Sequence, residues 1–135
     1  MTMLERFLAS MTSRDYRWID EFDHEALAAL AGAERARAVA ALVEAVGRHD
    51  PRAPRALAAI GARETAPRLR EAVAGAEGAC RVTLALALEE LDGYAEATAR
   101  IIEALDDASE SARLLAAHML RSRPGAAAGG QAVPP

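Results

Sequence analysis

Apolar residues return every three or four positions along almost the whole of this sequence, and glycine, proline or an acidic residue cuts the pattern again and again. The spacing is that of one-faced helices, and interruptions at such short range keep each helix short. Met3, Leu4, Phe7, Leu8 and Met11 make a first stripe. Asp23 is placed to cap a short helix through Leu27 and Leu30 that stops near Gly32. Val39, Leu42, Val43 and Val46 share one face of the next, which ends at Gly47. Asp50-Pro51-Arg52 joins a capping residue to a proline suited to a first helical turn, opening a helix through Leu57 and Ile60 to Gly61. Pro67 opens another, with Leu69, Ala72 and Val73 inward and Gly75 and Gly78 closing it. Val82, Leu84, Leu86, Leu88 and Leu91 then lie on a helix apolar around most of its circumference, which predicts burial on most sides. Asp92-Gly93 breaks it, Thr98, Ile101, Ile102 and Leu105 line its successor, and Ser109 caps a last helix carrying Leu114, Leu115, Met119 and Leu120.

Helices of about 10 to 15 residues joined by such short turns must pack as antiparallel neighbours, which makes the chain all-α. Composition agrees, since alanine supplies about a quarter of the residues and aromatics only 4%. Alanine favours helix, and β-branched and aromatic residues are too few and scattered to build a sheet. A hydrophobic content of 52% is enough for one continuous core. One domain is expected over residues 1–123, followed by a Pro/Gly/Ala segment, PGAAAGGQAVPP at 124–135, expected to stay unfolded.

The formal charge of −4 argues against a nucleic-acid groove, which needs a surplus of cations for phosphates. The sixteen basic residues are all arginine, a bias that fits a GC-rich coding sequence and leaves single sites free to grip carboxylates in two-point fashion. Residues 50–75 form a basic island between acidic ends. The lone Cys80 excludes an intramolecular disulfide and a cysteine-rich zinc site. Glu5, Arg6 and Arg14 interrupt the first residues, which do not read as a signal peptide. No run reaches the ~20 apolar residues of a membrane span. A cytoplasmic protein without membrane contact is expected.

Internal similarity points to a repeat. DPRAPRALAAIG at 50–61, EGACRVTLALAL at 77–88 and ASESARLLAAHML at 108–120 each set a small or acidic opening before an arginine, then alanine and leucine on a helix. Arg55, Arg81 and Arg113 fall 26 and 32 residues apart, within the range of stacked helical repeats. The stretch from Asp50 to about Leu120 resembles HEAT repeats of the short bacterial kind, the PBS-lyase HEAT-like family, whose first helix reads D-x-x-V-R-x-x-A-A-x-A-L-x-x-I-G. The matches are Asp50, Arg55, Ala58, Ala59, Ile60 and Gly61, then Arg81, Ala85 and Leu88, then Arg113, Ala116, Ala117 and Leu120. Residues 15–46 are similar to the leading segment of small bacterial HEAT-repeat proteins. The pattern is degenerate, with Cys80 where valine is usual and only one helix in the third copy. The resemblance implies a short right-handed α-solenoid of stacked antiparallel helix pairs. Its parts would be an N-terminal cap at 1–22, repeats at about 23–49, 50–75 and 77–107, and a C-terminal helix at 109–121.

No catalytic constellation accompanies this pattern. His24, His49 and His118 have no metal-ligand spacing, and Cys80 falls on an inward face with no base or anion-stabilising group indicated beside it. No catalytic residue, cofactor or metal site is expected. The resemblance implies instead a protein-binding module, adaptor or regulator, because the second helices of HEAT pairs commonly line a concave surface. Their exposed positions would be Arg37, Glu44 and Arg48, then Arg68 and Glu71, then Glu96, Arg100 and Glu103. Glu64 with Arg68 and Glu96 with Arg100 stand in the favourable order for ion pairs along a helix. Tyr16 and Trp18, beside Asp20, Glu21 and Asp23, are either anchors of an interface or, with Phe22, a cover for the end of the core. Two narrower functions stay open: an immunity protein that binds a bacterial toxin, and a subunit resembling a bilin lyase. A homodimer through the Leu114, Leu115 and Met119 strip is a further expectation.

Overall fold

The most apolar stretch of the chain becomes the middle of the molecule. In the computed structural model, which describes residues 1–123, the elements are α1 (Met3–Thr12), α2 (His24–Ala28), α3 (Gly32–Gly47), α4 (Arg52–Ala59), α5 (Ala66–Val73), α6 (Gly78–Asp92), α7 (Ala97–Glu103) and α8 (Glu110–Arg121). Three 3₁₀ turns, Tyr16–Trp18, Arg63–Thr65 and Ala104–Asp106, join them, and no strand occurs among the described residues. The all-α expectation therefore holds. The expected tail at 124–135 lies outside the described residues.

α6 packs against α4, α5, α7 and α8. Burial of Cys80, Val82, Thr83, Leu84, Ala85, Ala87, Leu88 and Leu91 on this one helix gives the core its continuity, as the all-round apolar pattern requires. α4, α6 and α8 touch in sequence to form one row, while α3 packs on both α4 and α5. α1 closes the opposite end by packing on α2 and α3, with Phe7 fully buried and edge-on to Phe22 at 6.1 Å.

Asp23 and Ser109, both read as caps, do cap α2 and α8, whereas α3 to α7 carry no side-chain bond from their own N-cap residue. Thr2 and Glu5 form a reciprocal capping box on α1, the Asp23 carboxylate accepts the Ala26 N–H, and Ser109 accepts that of Ala112. Asp50 accepts the Arg52 N–H at 3.0 Å, so Pro51 stands just ahead of α4 instead of inside its first turn. α6 has no side-chain cap of its own. Its Gly78 N–H donates to the Asp107 carboxylate, which also accepts the Ser109 N–H at 2.8 Å and faces Arg81.

Some boundaries differ from the sequence reading. Gly78 opens α6 at φ +61° and does not close α5; Gly32 likewise opens α3 at φ +57°. α2, α4, α5 and α7 have only 5 to 8 residues, because 3₁₀ turns take over positions that apolar spacing alone assigns to helix. On α7, Ala97, Ile101 and then Ala104 occupy the inner face. Ile102 and Leu105 are turned aside and stay 44% and 38% exposed, against the expectation that both face inward.

Gly93 ends α6 at φ +63°, donating to the Glu89 carbonyl at 2.9 Å while Tyr94 N–H reaches back to Leu88. No atom lies within 4 Å of where a β-carbon would stand there, so the cost of Gly93→Ala is backbone strain alone, about 1–2 kcal/mol. Leu88→Ala, in the fully buried centre of α6, should cost about 2–5 kcal/mol. Urea denaturation monitored by circular dichroism should rank the two in that order; equal losses would contradict the central place given to α6.

Candidate functional site

α3 and α5 lie side by side and leave an open groove of about 530 Å³ between them. From α3, Gly32, Arg35, Ala36, Val39, Ala40 and Val43 present one helical row to it, with Glu44 at its edge. Glu64, Thr65 and Arg68 supply the other wall. Both elements are placed by burial: Leu42, Val46 and Leu69 are driven into the core, which leaves the adjacent row of α3 facing outward and sideways. Small Ala36 and Ala40 keep the floor low, and Val39 and Val43 make it apolar.

Charges surround that floor. Arg35 reaches across to Glu64 at 2.7 Å, and this guanidinium holds the Glu64 carboxyl below its usual range. Both groups keep contact with water, so the pair contributes well under about 1 kcal/mol; it fixes the spacing of the two walls more than it stabilises them. Glu44 and Arg68, by contrast, are exposed and engage in no ion pair among the described residues.

Of the interface candidates read from sequence, the groove brings together only Glu44 and Arg68. Arg37 and Arg48 are exposed but do not line the groove, and Arg48 stands just past the end of α3. Glu71 is exposed on α5 without lining the groove. Glu96 sits just before α7 and not on it. Arg100 is occupied by Glu103 at 3.1 Å and by the Tyr94 hydroxyl at 3.3 Å, which together hold its pKa up. The expected pairs Glu64 with Arg68 and Glu96 with Arg100 are therefore replaced by Arg35 with Glu64 and Arg100 with Glu103. Glu64 belongs to a 3₁₀ turn and is taken by Arg35, while Glu96 stands one turn before Arg100, whose N–H reaches its carbonyl at 3.0 Å, but the Arg100 side chain goes to Glu103 and Tyr94. Sequence reading missed Arg35, Val39 and Val43 as lining residues. Their signal was the width of the α3 apolar stripe, broader than one neighbouring helix can cover.

At the other end, the aromatic cluster divides. Phe22 is core, 2% exposed. Trp18 is half-buried, with Arg17 above its ring at 5.5 Å, and Tyr16 is 80% exposed beside Ile19 at 63%. Arg52 ties this segment down. Its guanidinium lies 4.3 Å over the Phe22 ring, donates to the Trp18 carbonyl at 2.6 Å and grips both Asp50 oxygens. Burial raises the Asp50 pKa, but hydrogen bonds from Arg52 outweigh it and leave the group lowered. Arg6 joins Asp23 and Glu25 in the same manner, closing α1 over α2.

The remaining reactive groups have modest prospects. Cys80 donates to the Asp50 carbonyl at 3.8 Å, and burial together with the nearby Asp50 charge pushes its thiol up to about 11, which suppresses thiolate chemistry at neutral pH. The three histidines are exposed, and no group of three or more His, Cys, Asp or Glu is placed to hold a metal ion among the described residues. No helix there is long and apolar enough to cross a membrane. No protein-family model, curated protein sequence or solved structure matches this chain.

Removing the Arg52 guanidinium should loosen the N-terminal segment first. Arg52→Ala is expected to cost about 2 kcal/mol, with emission of the sole tryptophan, Trp18, shifting to the red before helix content is lost. Arg52→Lys should recover only a minor part, because an ammonium cannot stack on Phe22 and bridge Asp50 to Trp18 at once. Coincident transitions in both variants would argue against this anchor.

Acid should also weaken the fold. Glu64 is lowered by Arg35, Glu89 by Arg123, and Asp107 by the Ser109 amide, with Asp50 lowered as above. Carboxyls depressed in the folded state contribute stability that is complete above their unfolded pKa of about 4. It is lost as pH falls through their lower folded values. The melting temperature should thus stay nearly level from pH 7 to about 5 and fall steadily below about 4, and a level profile to pH 2 would refute the role given to these pairs.

Proposed function

We propose that this chain is a short HEAT-like solenoid, a right-handed stack of antiparallel helix pairs, and that it acts as a non-enzymatic protein-binding module, an adaptor or regulator working through its second-layer helices. Two features support the architecture: the row α4–α6–α8, in which each helix packs on the next, and the left-handed glycines Gly32, Gly61 and Gly93, which recur between the two helices of successive pairs.

The groove between α3 and α5 carries the functional reading. An apolar floor flanked by Glu44 and Arg68, one unpaired charge on each wall, suits a polypeptide segment that buries one or two apolar side chains and answers both charges. Arg35 and Glu64, already paired, hold the walls apart without competing for the partner. A protein ligand fits this surface better than a nucleic acid, because two guanidiniums balanced by two carboxylates leave no cationic surplus for phosphates.

A photo-crosslinking residue at position 40, on the groove floor, should give a discrete protein adduct in the source cells. The same residue at position 113, on exposed α8, should not give that adduct. Glu44→Arg combined with Arg68→Glu should abolish it while changing folding stability by no more than about 0.5 kcal/mol. An adduct indifferent to this double reversal, or none at position 40, would remove the groove as the binding site.

A further inference from the structure

α8 shows one face to the core and a different, ordered face to solvent. Ala112 and Ala116 are buried, and Leu115, Met119 and Leu120 pack partly against the core. Of the strip expected to pair two chains, Leu115 and Met119 are thus mostly spent on the chain's own fold, and only Leu114 remains, at 64% exposure. Around it the outer row of the helix reads Glu110, Leu114, Ala117, His118 and Arg121, all exposed and all within about one quarter-turn of one another at 3.6 residues per turn.

The order of charge along this row is what singles it out. The acid Glu110 lies one turn before Leu114 and the guanidinium of Arg121 two turns after it. When two such helices pack antiparallel about a dyad at Leu114, each Glu110 comes within reach of Arg121 of the other copy. The two leucines meet at the centre. A parallel arrangement sets Glu110 beside Glu110 and Arg121 beside Arg121. The row is complementary to itself when the helices run antiparallel, as an isologous contact requires.

We infer that α8 is a self-association surface, through which two copies of this chain pair antiparallel across Leu114. The contact is separate from the groove and does not depend on the binding role proposed for it. With each α8 only about 18 Å long, the interface falls at the small end for specific association. The dimer is accordingly weak, forming at chain concentrations on the order of 10⁻⁴ M. A like-to-like contact closes at two, whereas pairing of the α8 row with the exposed Tyr16 and Ile19 of another copy would leave both surfaces free at the ends and grow without limit.

Sedimentation velocity of the full chain across a hundredfold concentration range is the direct test. The expected result is a monomer–dimer shift that Leu114→Asp removes without changing the circular dichroism spectrum. Glu110→Arg should weaken the shift at least tenfold, and Glu110→Arg with Arg121→Glu should restore it. Leu114→Cys provides a readout independent of affinity: Cys80 is buried, so mild oxidation should give a covalent dimer through position 114 alone. A chain that stays monomeric throughout, a dimer that survives Leu114→Asp, or continuous growth beyond two copies would each overturn the proposal. So would a monomer that dimerises only when residues 124–135 are deleted, since that segment would then be the occupant of the α8 row.

Discussion

Burial of α6 is the condition on which the rest of the structure depends. A helix carrying Val82, Leu84, Leu88 and Leu91 with so little polar surface has no stable place at a water interface, and no single neighbour can cover it. Four helices surround it instead. α4, α5, α7 and α8 each take part of its surface. The short turns then become a consequence, because helices that must all reach the same central helix have little length of chain to spare between them.

Helix starts are joined to this arrangement by carboxylates that serve two elements at once. Asp23 caps α2 while receiving Arg6 from α1. Asp50 holds the first amide of α4 and the guanidinium that keeps Trp18 and Phe22 in place. Asp107 goes further, meeting α6 at Gly78 and the turn into α8 at Ser109. A helix amide without a cap of its own is therefore satisfied by the residue that precedes the next helix in the row. The same economy accounts for Arg123, which returns from the end of α8 to Glu89 on α6 and Thr98 on α7.

The helical content, most helix positions and the central burial of residues 80–91 were legible in the sequence, because apolar spacing and capping residues are local signals. What was not legible is pairing between elements. Glu64 was assigned to Arg68 by spacing, but its partner Arg35 lies on α3, with α4 between them in the chain, a distance that no periodic rule spans. Ile102 and Leu105 looked like core because they are large and apolar; the inner face of α7 was already filled by alanines and Ile101. Phe22 and Tyr16 could not be separated from composition, since only the position of α1 decides which ring is covered. Of the groove's charged residues the sequence reading named Glu44 and Arg68, while the apolar floor emerged only once the neighbouring helix left part of α3 uncovered.

The close contacts of this fold are made largely by alanine: ten alanines, among them Ala38, Ala53, Ala85, Ala97 and Ala116, have no exposed surface. Alanine can be made larger but hardly smaller, so at these ten places almost every replacement is an intrusion, forcing apart helices that pack closely around one core. Change in this sequence is therefore steered outward. Descendants of this chain would keep their interior almost letter for letter while the α3 row, the α5 wall and the outer side of α8 diverge. The fold thus acts as a fixed frame on which new surfaces are tried.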